Sequence, residues 1–499
     1  MKTTIINANI FTSNKDMPYA KSMSFEHGKI TEVSCNNLSG NNIIDAKGMF
    51  ITPAFLDIHM HPLWIALNYD KFACLPPHIY SIHEIQNEII KRRKNNPTKW
   101  ILGWGYDEGK MKEKRICTKY DLDSACNDFP VIIERTCSHI CICNTAALLA
   151  LNINPTNHDG VLRESEKFEA FLKIPKCTND EIIHNLKLFS NDCFSKGITT
   201  VSEMLGNQND LDIYLEAEIP QRILFTYDYN AIKDMDNLPP ITNPKIKIQG
   251  IKLLADGSVS GQTAWCSKPY LNTENNGLST VSDTEIIDAM NIAKKYQLQL
   301  IVHAMGDNAI NHILSLKTDD WLSKIPSLRI EHYAILYNDL LKSTKNKHVA
   351  IVSQPIFMYA EIESYLKNLG NEFKSFCYPY KSILDQNIPL AFSSDAPATS
   401  WTDPFNPFIA INSACKRQSY NGIDSGINQS ISIEDAIHCY TSNAAKIVGL
   451  DNVGMIKEGM SADFIILNQN LFEKDIPIED TLVLQTYMDG ELKFTRNIQ

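Results

Sequence analysis

Short apolar runs and helical patterns alternate through the middle of the chain. Eight of the runs are short and apolar enough to be buried parallel strands. Helical patterns lie between several of them, as at 281–296, where Ser282 and Glu285 form a capping box ahead of an apolar face. The alternation predicts an α/β fold, a (β/α)₈ TIM barrel over residues 53–447. The eight runs are residues 54–61, 197–204, 222–229, 249–256, 298–307, 328–333, 349–355 and 389–396.

The two ends of the chain carry a different pattern. Residues 1–52 and 448–499 contain short β-prone runs separated by turn signals, such as the Asp489-Gly490 pair. Neither end has enough apolar residues for a core of its own. We therefore expect both ends to pair into one small β-sandwich domain.

The connection after the first apolar run is far too long for a βα loop. It contains its own structural signals, including a Ser81/Glu84 capping box and a strand-strand-helix pattern near residue 140. We expect residues 65–195 to form an inserted subdomain that covers the active-site face of the barrel. Long insertions at that face usually shape substrate access.

Composition and charge narrow the class of protein. The 499 residues are 44% hydrophobic and 21% charged, as in globular proteins, and the net charge of −11 argues against a nucleic-acid-binding surface. No apolar stretch approaches the roughly 20 residues of a membrane span, and no secretory signal pattern opens the chain. The 13 cysteines include no C-x-x-C pair and read as reduced thiols. We expect a cytoplasmic protein.

Polar residues with metal-binding chemistry end several predicted strands. Each has an ordinary explanation on its own: a core histidine, a helix-capping aspartate, or a lysine whose stem lies along apolar surface. Together, at the same end of five strands, they indicate a divalent metal site, since imidazole and carboxylate suit Zn²⁺ and related ions. The residues are His59, His61, Lys252, His303, His332 and Asp395.

The sequence around these residues resembles a known family. "FLDIHMHP" is similar to the motif that opens the barrel in the amidohydrolase superfamily. The motifs that follow resemble the YtcJ-like branch, amidohydrolase family 3, which includes N-substituted formamide deformylases. In chain order they are "GWGYDE", "RTCSHICICNTAAL", "DGVLRE", "GIKLLADGSVSGQTAW", "VHAMGDNAI", "RIEHY", "VSQP", "FSSDAPATSWTDPF", "TSNAAKIVG" and "VGMIKEGMSADFIIL".

The resemblance implies a metal centre of one or two divalent ions, usually zinc. It would place the first histidine pair and Asp395 on one metal, and His303 and His332 on the second. Lys252 would bridge the two as an N6-carboxylysine, formed when carbon dioxide adds to the neutral amine; a single-metal site is the alternative. Two positions depart from the family pattern: Ala54 stands where a Gly is usual, and Phe357 stands where a His is frequent.

The implied activity is metal-dependent hydrolysis of a C–N bond in an amide, formamide or cyclic amide. Asp395 would act as general base toward a metal-activated water and then pass the proton to the leaving nitrogen. We expect a small-molecule substrate, with no nucleic-acid or membrane partner, and a homodimer or higher homo-oligomer. Candidate substrate contacts are Trp104, His139, Asp256 and Gln354.

Two rival functions remain. One is an aminohydrolase (deaminase) of the same superfamily; single-metal members of that kind place a Glu three residues after the strand-five His, where this chain has Gly306. The other is a non-catalytic amidohydrolase-like scaffold, which would have no use for a complete ligand set.

Overall fold

The computed structural model describes residues 2–95, 100–136, 140–337, 340–399 and 401–497. It divides the chain into two compact units. The first comprises Met1–Leu63, Leu186–Thr399 and Phe405–Gln499, and the second Trp64–Asn185 and Ser400–Pro404.

An eight-stranded parallel sheet forms the centre of the first unit. Its strands lie side by side in chain order, and a helix-containing segment leads from nearly every strand to the next, the arrangement of a (β/α)₈ barrel. The predicted fold class, a TIM barrel with additional sheets, is thereby confirmed. The barrel strands, numbered one to eight below, are Phe55–Met60, Ile198–Gly206, Arg222–Asp228, Ile246–Leu254, Gln299–Ala304, Leu328–His332, Val349–Ser353 and Leu390–Phe392.

Backbone hydrogen bonds join the two edges of this sheet just beyond strand eight. The Asp395 N–H donates to the His59 carbonyl at 2.8 Å, and the His61 N–H donates to the Ala396 carbonyl at 2.8 Å. These bonds place the carboxyl ends of strands one and eight against each other, where the predicted metal ligands lie.

Several helices of the first unit bury one face, as the 3.6-residue period allows, whereas Pro407–Lys416 is buried over most of its length. In Asp283–Tyr296 the predicted capping box is present, and Ile286, Ala289 and Ala293 form the buried face. The α-helices within this unit are Gln208–Ala217, Tyr229–Ile232, Asp283–Tyr296, Asp307–Leu316, Leu341–Asn346, Pro355–Ala360, Ile362–Leu369, Tyr380–Asp385, Pro407–Lys416, Ile433–Tyr440 and Ser442–Val448. Short 3₁₀ turns lie at Asn371–Ser375, Ile427–Gln429 and Ile478–Asp480.

Two further sheets of the first unit contain the chain ends. In the six-stranded sheet, Phe50–Pro53 pairs with the C-terminal strand Phe464–Leu467, so residues from both ends share one sheet. Apolar side chains from both sheets, including Ile5, Phe25 and Phe464, form one buried cluster. In spatial order the strands are Lys29–Ser34, Ser22–Glu26, Thr3–Ile6 and Asn42–Asp45 in one sheet, and Glu491–Thr495, Val483–Met488, Phe464–Leu467, Phe50–Pro53, Asn9–Phe11 and Tyr19–Ala20 in the other.

The second unit has a five-stranded sheet of its own. Two buried apolar clusters support it, and Cys141 and Cys143 belong to one of them together with Leu148. Its strands, in spatial order, are Val161–Arg163, Ile140–Cys143, Val131–Arg135, Ile101–Tyr106 and Phe72–Ala73. Its helices are Ile82–Lys94, Lys119–Asp123, Thr145–Ala150 and Glu164–Lys173; Pro62–Asn68 and Asn179–Ser195 lie where the chain passes between the units.

The described residues include neither a membrane-spanning helix nor a disulfide. No described helix combines the length and the apolar character needed to span a membrane. The twelve described cysteines are all free thiols, and most of them are buried.

Candidate metal centre

Three of the predicted ligands converge at the carboxyl end of the barrel strands. His59, His332 and Asp395 each offer one donor atom, and the three atoms lie within 4.8 Å of one another. All three side chains are buried. Two imidazoles and a carboxylate at this spacing can surround a divalent ion such as Zn²⁺.

A single carboxylate oxygen joins the two histidines of the H-x-H pair. Asp395 Oδ1 lies 3.1 Å from His61 Nε2 and 3.3 Å from His59 Nε2. Burial raises the pKa of Asp395, but the charge of His59 and the hydrogen bonds with His59 and His61 outweigh it and hold that pKa well below its usual range. Burial lowers the pKa of His61, yet the hydrogen bond and charge of Asp395 raise it overall. Asp395 is therefore ionised and able to ligate a cation.

Two of the converging residues have unusual backbone geometry. His332 has φ = 70° and Asp395 has φ = 55°, in the left-handed region that non-glycine residues rarely adopt. The side chain of Glu331 already points at His59, so strict alternation would turn His332 to the other face of the strand. The left-handed turn instead brings both neighbours to the same site, an arrangement that functional sites often stabilise despite its cost.

The ring of His59 is oriented by a buried carboxylate. Its Nδ1 contacts Glu331 Oε2, while Glu331 Oε1 accepts a hydrogen bond from Arg329 Nε. The charges of Arg329 and His59 outweigh burial and lower the pKa of Glu331, so this group is an ionised acceptor. The hydrogen therefore lies on Nδ1, and Nε2 is the nitrogen that can bind a metal.

The other two barrel histidines are fixed in the same manner. His332 Nδ1 lies 2.7 Å from Gln354 Oε1, and His303 Nε2 lies 2.9 Å from the Gly257 carbonyl. A carbonyl oxygen only accepts, so Nε2 of His303 carries the hydrogen and its Nδ1 holds a lone pair. Burial lowers the pKa of His303 to about 4, aided by the charge of Lys252, and burial holds the pKa of His332 well below 6.5. Both rings are neutral, as metal ligation requires.

Lys252 lies inside the barrel beside the histidines. It is 2% exposed, and its Nζ lies 3.4 Å from His59 Nε2. Burial lowers its pKa to about 8, although the carboxylates of Glu331 and Asp395 oppose that shift. More of this amine is neutral near pH 7 than of an exposed lysine.

The four candidate substrate contacts fall in different places. Gln354 bridges two groups, because its Oε1 faces His332 and its Nε2 donates to Ser393 Oγ at 2.8 Å. Trp104 is half-buried on strand Ile101–Tyr106 of the second unit. His139 lies outside the described residues.

The fourth candidate, Asp256, anchors the loop after strand four. Its carboxylate accepts three backbone N–H groups, from Trp265 at 2.9 Å, Met305 at 3.0 Å and Gly306 at 2.8 Å. Burial raises its pKa to about 7 against those three bonds. These three bonds hold the segment that carries Gly257 against His303, and Asp256 Oδ1 itself lies 3.4 Å from His303 Nε2.

Several buried acidic residues at the site were missed by the sequence reasoning. Glu331 contacts His59; Asp57 accepts from the Ser394 N–H at 3.2 Å; Glu203 accepts from the Leu63 N–H at 2.9 Å and from the Tyr214 hydroxyl at 2.5 Å. The available signal was a charged residue inside an apolar strand run, as in "FLDIHMH", "GITTVSEM" and "LRIEHY". A buried charge needs a partner, so such positions point inward to other polar groups.

The two departures from the family pattern have local explanations. Ala54 does not adopt a positive φ, so its methyl group is tolerated before strand one. The ring of Phe357 stacks on His332, with centroids 5.8 Å apart and planes 17° from parallel. An apolar ring thus packs against the candidate ligand His332.

The donor set fits a metal ion. When the hydrogen lies on Nδ1, the Nε2 lone pair of His59 faces Asp395 Oδ1 at 3.3 Å. Two electron-rich atoms at this distance need a cation between them, either a proton or a metal ion. His61 and Lys252 extend the set at 3.1 and 3.4 Å from its members.

Comparisons with known proteins show which family the sequence matches. The sequence profile of the amidohydrolase family matches residues 42–494. The chain is 25% identical to YtcJ of Bacillus subtilis (strain 168), with 91% of this chain and 90% of that protein covered. It is 22% identical to the N-substituted formamide deformylase of Arthrobacter pascens, covering 99% and 98%. The crystal structure of an uncharacterized metal-dependent hydrolase from Pyrococcus horikoshii OT3 superimposes with a TM-score of 0.76 at 25% identity, covering 94% and 98%.

Proposed function

Because the chain belongs to the amidohydrolase family and is a hydrolase, we propose that it cleaves a C–N bond in an amide, formamide or cyclic amide. The observation that carries this proposal is the convergence of His59, His332 and Asp395, whose donor atoms lie within 4.8 Å of one another. The similarity to an N-substituted formamide deformylase supports the same bond type.

We propose that these three residues, with His61, Lys252 and His303 around them, hold one or two divalent ions, with zinc as the expected metal. A metal ion bound there would supply Lewis-acid chemistry and lower the pKa of water toward neutrality. Lys252 would complete the set as a carbamate: its neutral amine adds carbon dioxide, loses one proton and becomes an anionic oxygen donor. An anion suits this position, since an uncompensated ammonium beside the histidine ligands would repel a metal cation.

The chain's own residues supply the proton transfers and the binding wall. Asp395, ionised and in contact with both histidines, is placed to accept a proton from the attacking water and return it to the leaving nitrogen. The Phe357 ring on His332 gives the substrate an apolar surface near the reacting carbonyl. Gln354 keeps His332 in one orientation through its bond to Nδ1.

The geometry disfavours the deaminase alternative. A β-carbon built at Gly306 would lie 2.1 Å from the Trp265 carbonyl oxygen and 2.4 Å from its carbonyl carbon. The glutamate that single-metal deaminases place there has no room in this backbone. Asp395 is instead the acidic residue placed to carry out the proton transfers.

A turnover screen tests the proposed bond type. Zinc-loaded protein is offered formamides, N-acyl amines, hydantoin-like rings and lactams, with carboxylic esters and aminated heteroaromatic rings as contrasting substrates. We expect hydrolysis of at least one amide class, with turnover about 10²-fold or more slower in Asp395→Asn. Turnover of the aminated rings alone would refute the proposal.

A further inference from the structure

The barrel contains a buried ion pair, Arg329–Glu331, which is not part of the candidate metal-ligand set. We propose that Glu331, held by Arg329, is a positioning residue that fixes the ring orientation and the tautomer of His59 for metal binding. The inference rests on the proposed metal centre and adds two residues that would act on the metal only through His59.

Each atom of the Glu331 carboxylate has a separate partner. Oε2 faces His59 Nδ1, and Oε1 accepts from Arg329 Nε. Both charged side chains are fully buried, and that of His59 is 1% exposed. Since no solvent competes for these groups, the carboxylate leaves the imidazole a single favourable orientation.

Arg329 extends the connection to a strand that is not its neighbour. Its Nη2 donates to the Ile58 carbonyl at 2.8 Å, one residue before His59. Strands one and six are separated in the sheet by four or by two other strands, depending on the direction around the barrel. No ladder hydrogen bond therefore joins the two strands directly, whereas the Arg329 side chain does so across the barrel interior.

A buried ion pair stabilises the fold little for the volume that it occupies. Replacing a buried ion pair with apolar residues of similar volume is often neutral or stabilising. Arg329 also leaves its Nη1 buried without a hydrogen-bond partner among the described residues. Stability alone therefore explains the pair poorly, whereas a requirement to orient His59 explains both the charge and the position.

The consequence for His59 is a defined donor atom. Because Glu331 Oε2 faces Nδ1 and Arg329 holds the carboxylate through its other oxygen, Nδ1 is turned toward Glu331 and Nε2 toward the other candidate ligands. That atom faces Asp395 at 3.3 Å and Lys252 at 3.4 Å. Without Glu331 the ring could rotate or exchange tautomers, and a fraction of the molecules would present no lone pair to the metal.

The test measures metal binding in the full-length protein without substrate. Glu331→Gln removes the charge, while Glu331→Asp keeps the charge but is one methylene too short to reach Nδ1. Zn²⁺ affinity is measured by chelator competition, and the visible spectrum of Co²⁺-loaded protein reports ligand geometry. The matched control is Asp463→Asn, which alters a buried Arg–carboxylate pair at the amino-terminal end of the barrel strands, where Asp463 contacts Arg222.

We expect both Glu331 variants to bind Zn²⁺ about 10- to 100-fold more weakly, a range typical of groups that orient metal-bound histidines. Their Co²⁺ spectra should differ from that of the wild type, while Asp463→Asn keeps wild-type affinity and spectrum. Wild-type affinity in Glu331→Asp would overturn the positioning role, and so would an equal loss in Asp463→Asn. If neither Glu331 variant folds, Arg329→Lys replaces them, and unchanged affinity there would also overturn it.

The outcomes separate this inference from the proposed reaction. Weakened binding in the Glu331 variants without turnover of any screened amide would support the positioning role and refute the substrate class. A wild-type protein that binds neither Zn²⁺ nor Co²⁺ would refute both.

Discussion

One oxygen of Asp395, Oδ1, contacts both His59 and His61. Replacing Asp395 with Asn keeps the shape but removes the charge and the basic lone pair. We expect kcat to fall by about 10²- to 10⁴-fold, the range general base catalysis commonly contributes. The measurement is steady-state turnover alongside thermal unfolding. Asp385→Asn, in an exposed pair with Lys381, serves as the control and should keep full activity; activity near wild type in Asp395→Asn would refute its role.

Lys252 gives a prediction of opposite sign for activity and for stability. Lys252→Met removes a buried amine from an apolar strand, so the free energy of unfolding should stay equal or rise, because no desolvated ammonium remains. Activity should be lost. In Lys252→Ala, which leaves a cavity, short carboxylic acids such as acetate should restore part of the activity by supplying the missing oxygen donor. Full activity in Lys252→Met would show that no carbamate is needed.

For individual site residues, the sequence predicted some positions and side-chain directions but not others. His59 and His61 could be placed because residues two apart on a strand share a face. His332 and Asp395 could be named but not oriented, since their positive φ values depend on packing that no local pattern records. Glu331 was missed because its partner His59 lies 272 positions away along the chain.

Among the structural elements, the loop after strand four contacts the candidate metal ligand His303 directly. It is held at Asp256 by three backbone N–H groups, and its Gly257 carbonyl faces His303. The alternation of apolar runs predicted the strands but gave no sign of this anchoring, which joins residues from two consecutive strand ends. The path of a loop depends on such individual contacts rather than on a repeating pattern.

Gly306→Ala tests how closely this loop packs. The added methyl group would lie 2.1 to 2.8 Å from the Trp265 backbone, so the loop or the start of helix Asp307–Leu316 must move. We expect a loss of about 1–3 kcal/mol in unfolding free energy, typical of overpacking, and weaker metal binding through displacement of His303. The measurements are urea unfolding and Zn²⁺ competition. Gly261→Ala, in the same loop, meets only side-chain oxygens, the nearer at 3.0 Å, and should change little.

Across the first unit as a whole, an ion pair joins the barrel to the sheets of the chain ends. Arg222, at the start of strand three, contacts Asp463 at 2.5 Å and also Asp489. Arg222→Met would leave the Asp463 carboxylate, 2% exposed, buried without its cation. We expect the unfolding midpoint in urea to fall, by an amount equivalent to about 3 kcal/mol.

The control for that measurement is Lys381→Met, which removes an exposed helical pair with Asp385. Such pairs contribute about 0.5 kcal/mol or less. Equal shifts in the two variants would show that the Arg222 pair does not link the two parts of the unit. Metal affinity should stay at the wild-type value in both, because neither residue touches the candidate centre.

The whole-molecule architecture was the most predictable level. Eight apolar runs in sequence order and β-prone chain ends suffice for a barrel with additional sheets, because each follows from a repeating pattern summed over many residues. The exact domain limits, drawn at residues 52, 65, 195 and 448, stay predictions. Single contacts decide such limits, and a repeating pattern records none of them.

Because the two chain ends share one sheet, part of that sheet can pair only late in synthesis. Phe50–Pro53 finds its neighbour Phe464–Leu467 only after the ribosome has made about 410 further residues, which takes roughly 20 to 80 s at about 5–20 residues per second. Until then Phe50–Pro53 has its neighbour Asn9–Phe11 on one edge, while its other edge stays open directly ahead of the first histidine pair. We expect newly made chains to stay bound to chaperones until the last strand emerges, which pulse-chase capture on stalled ribosomes can measure.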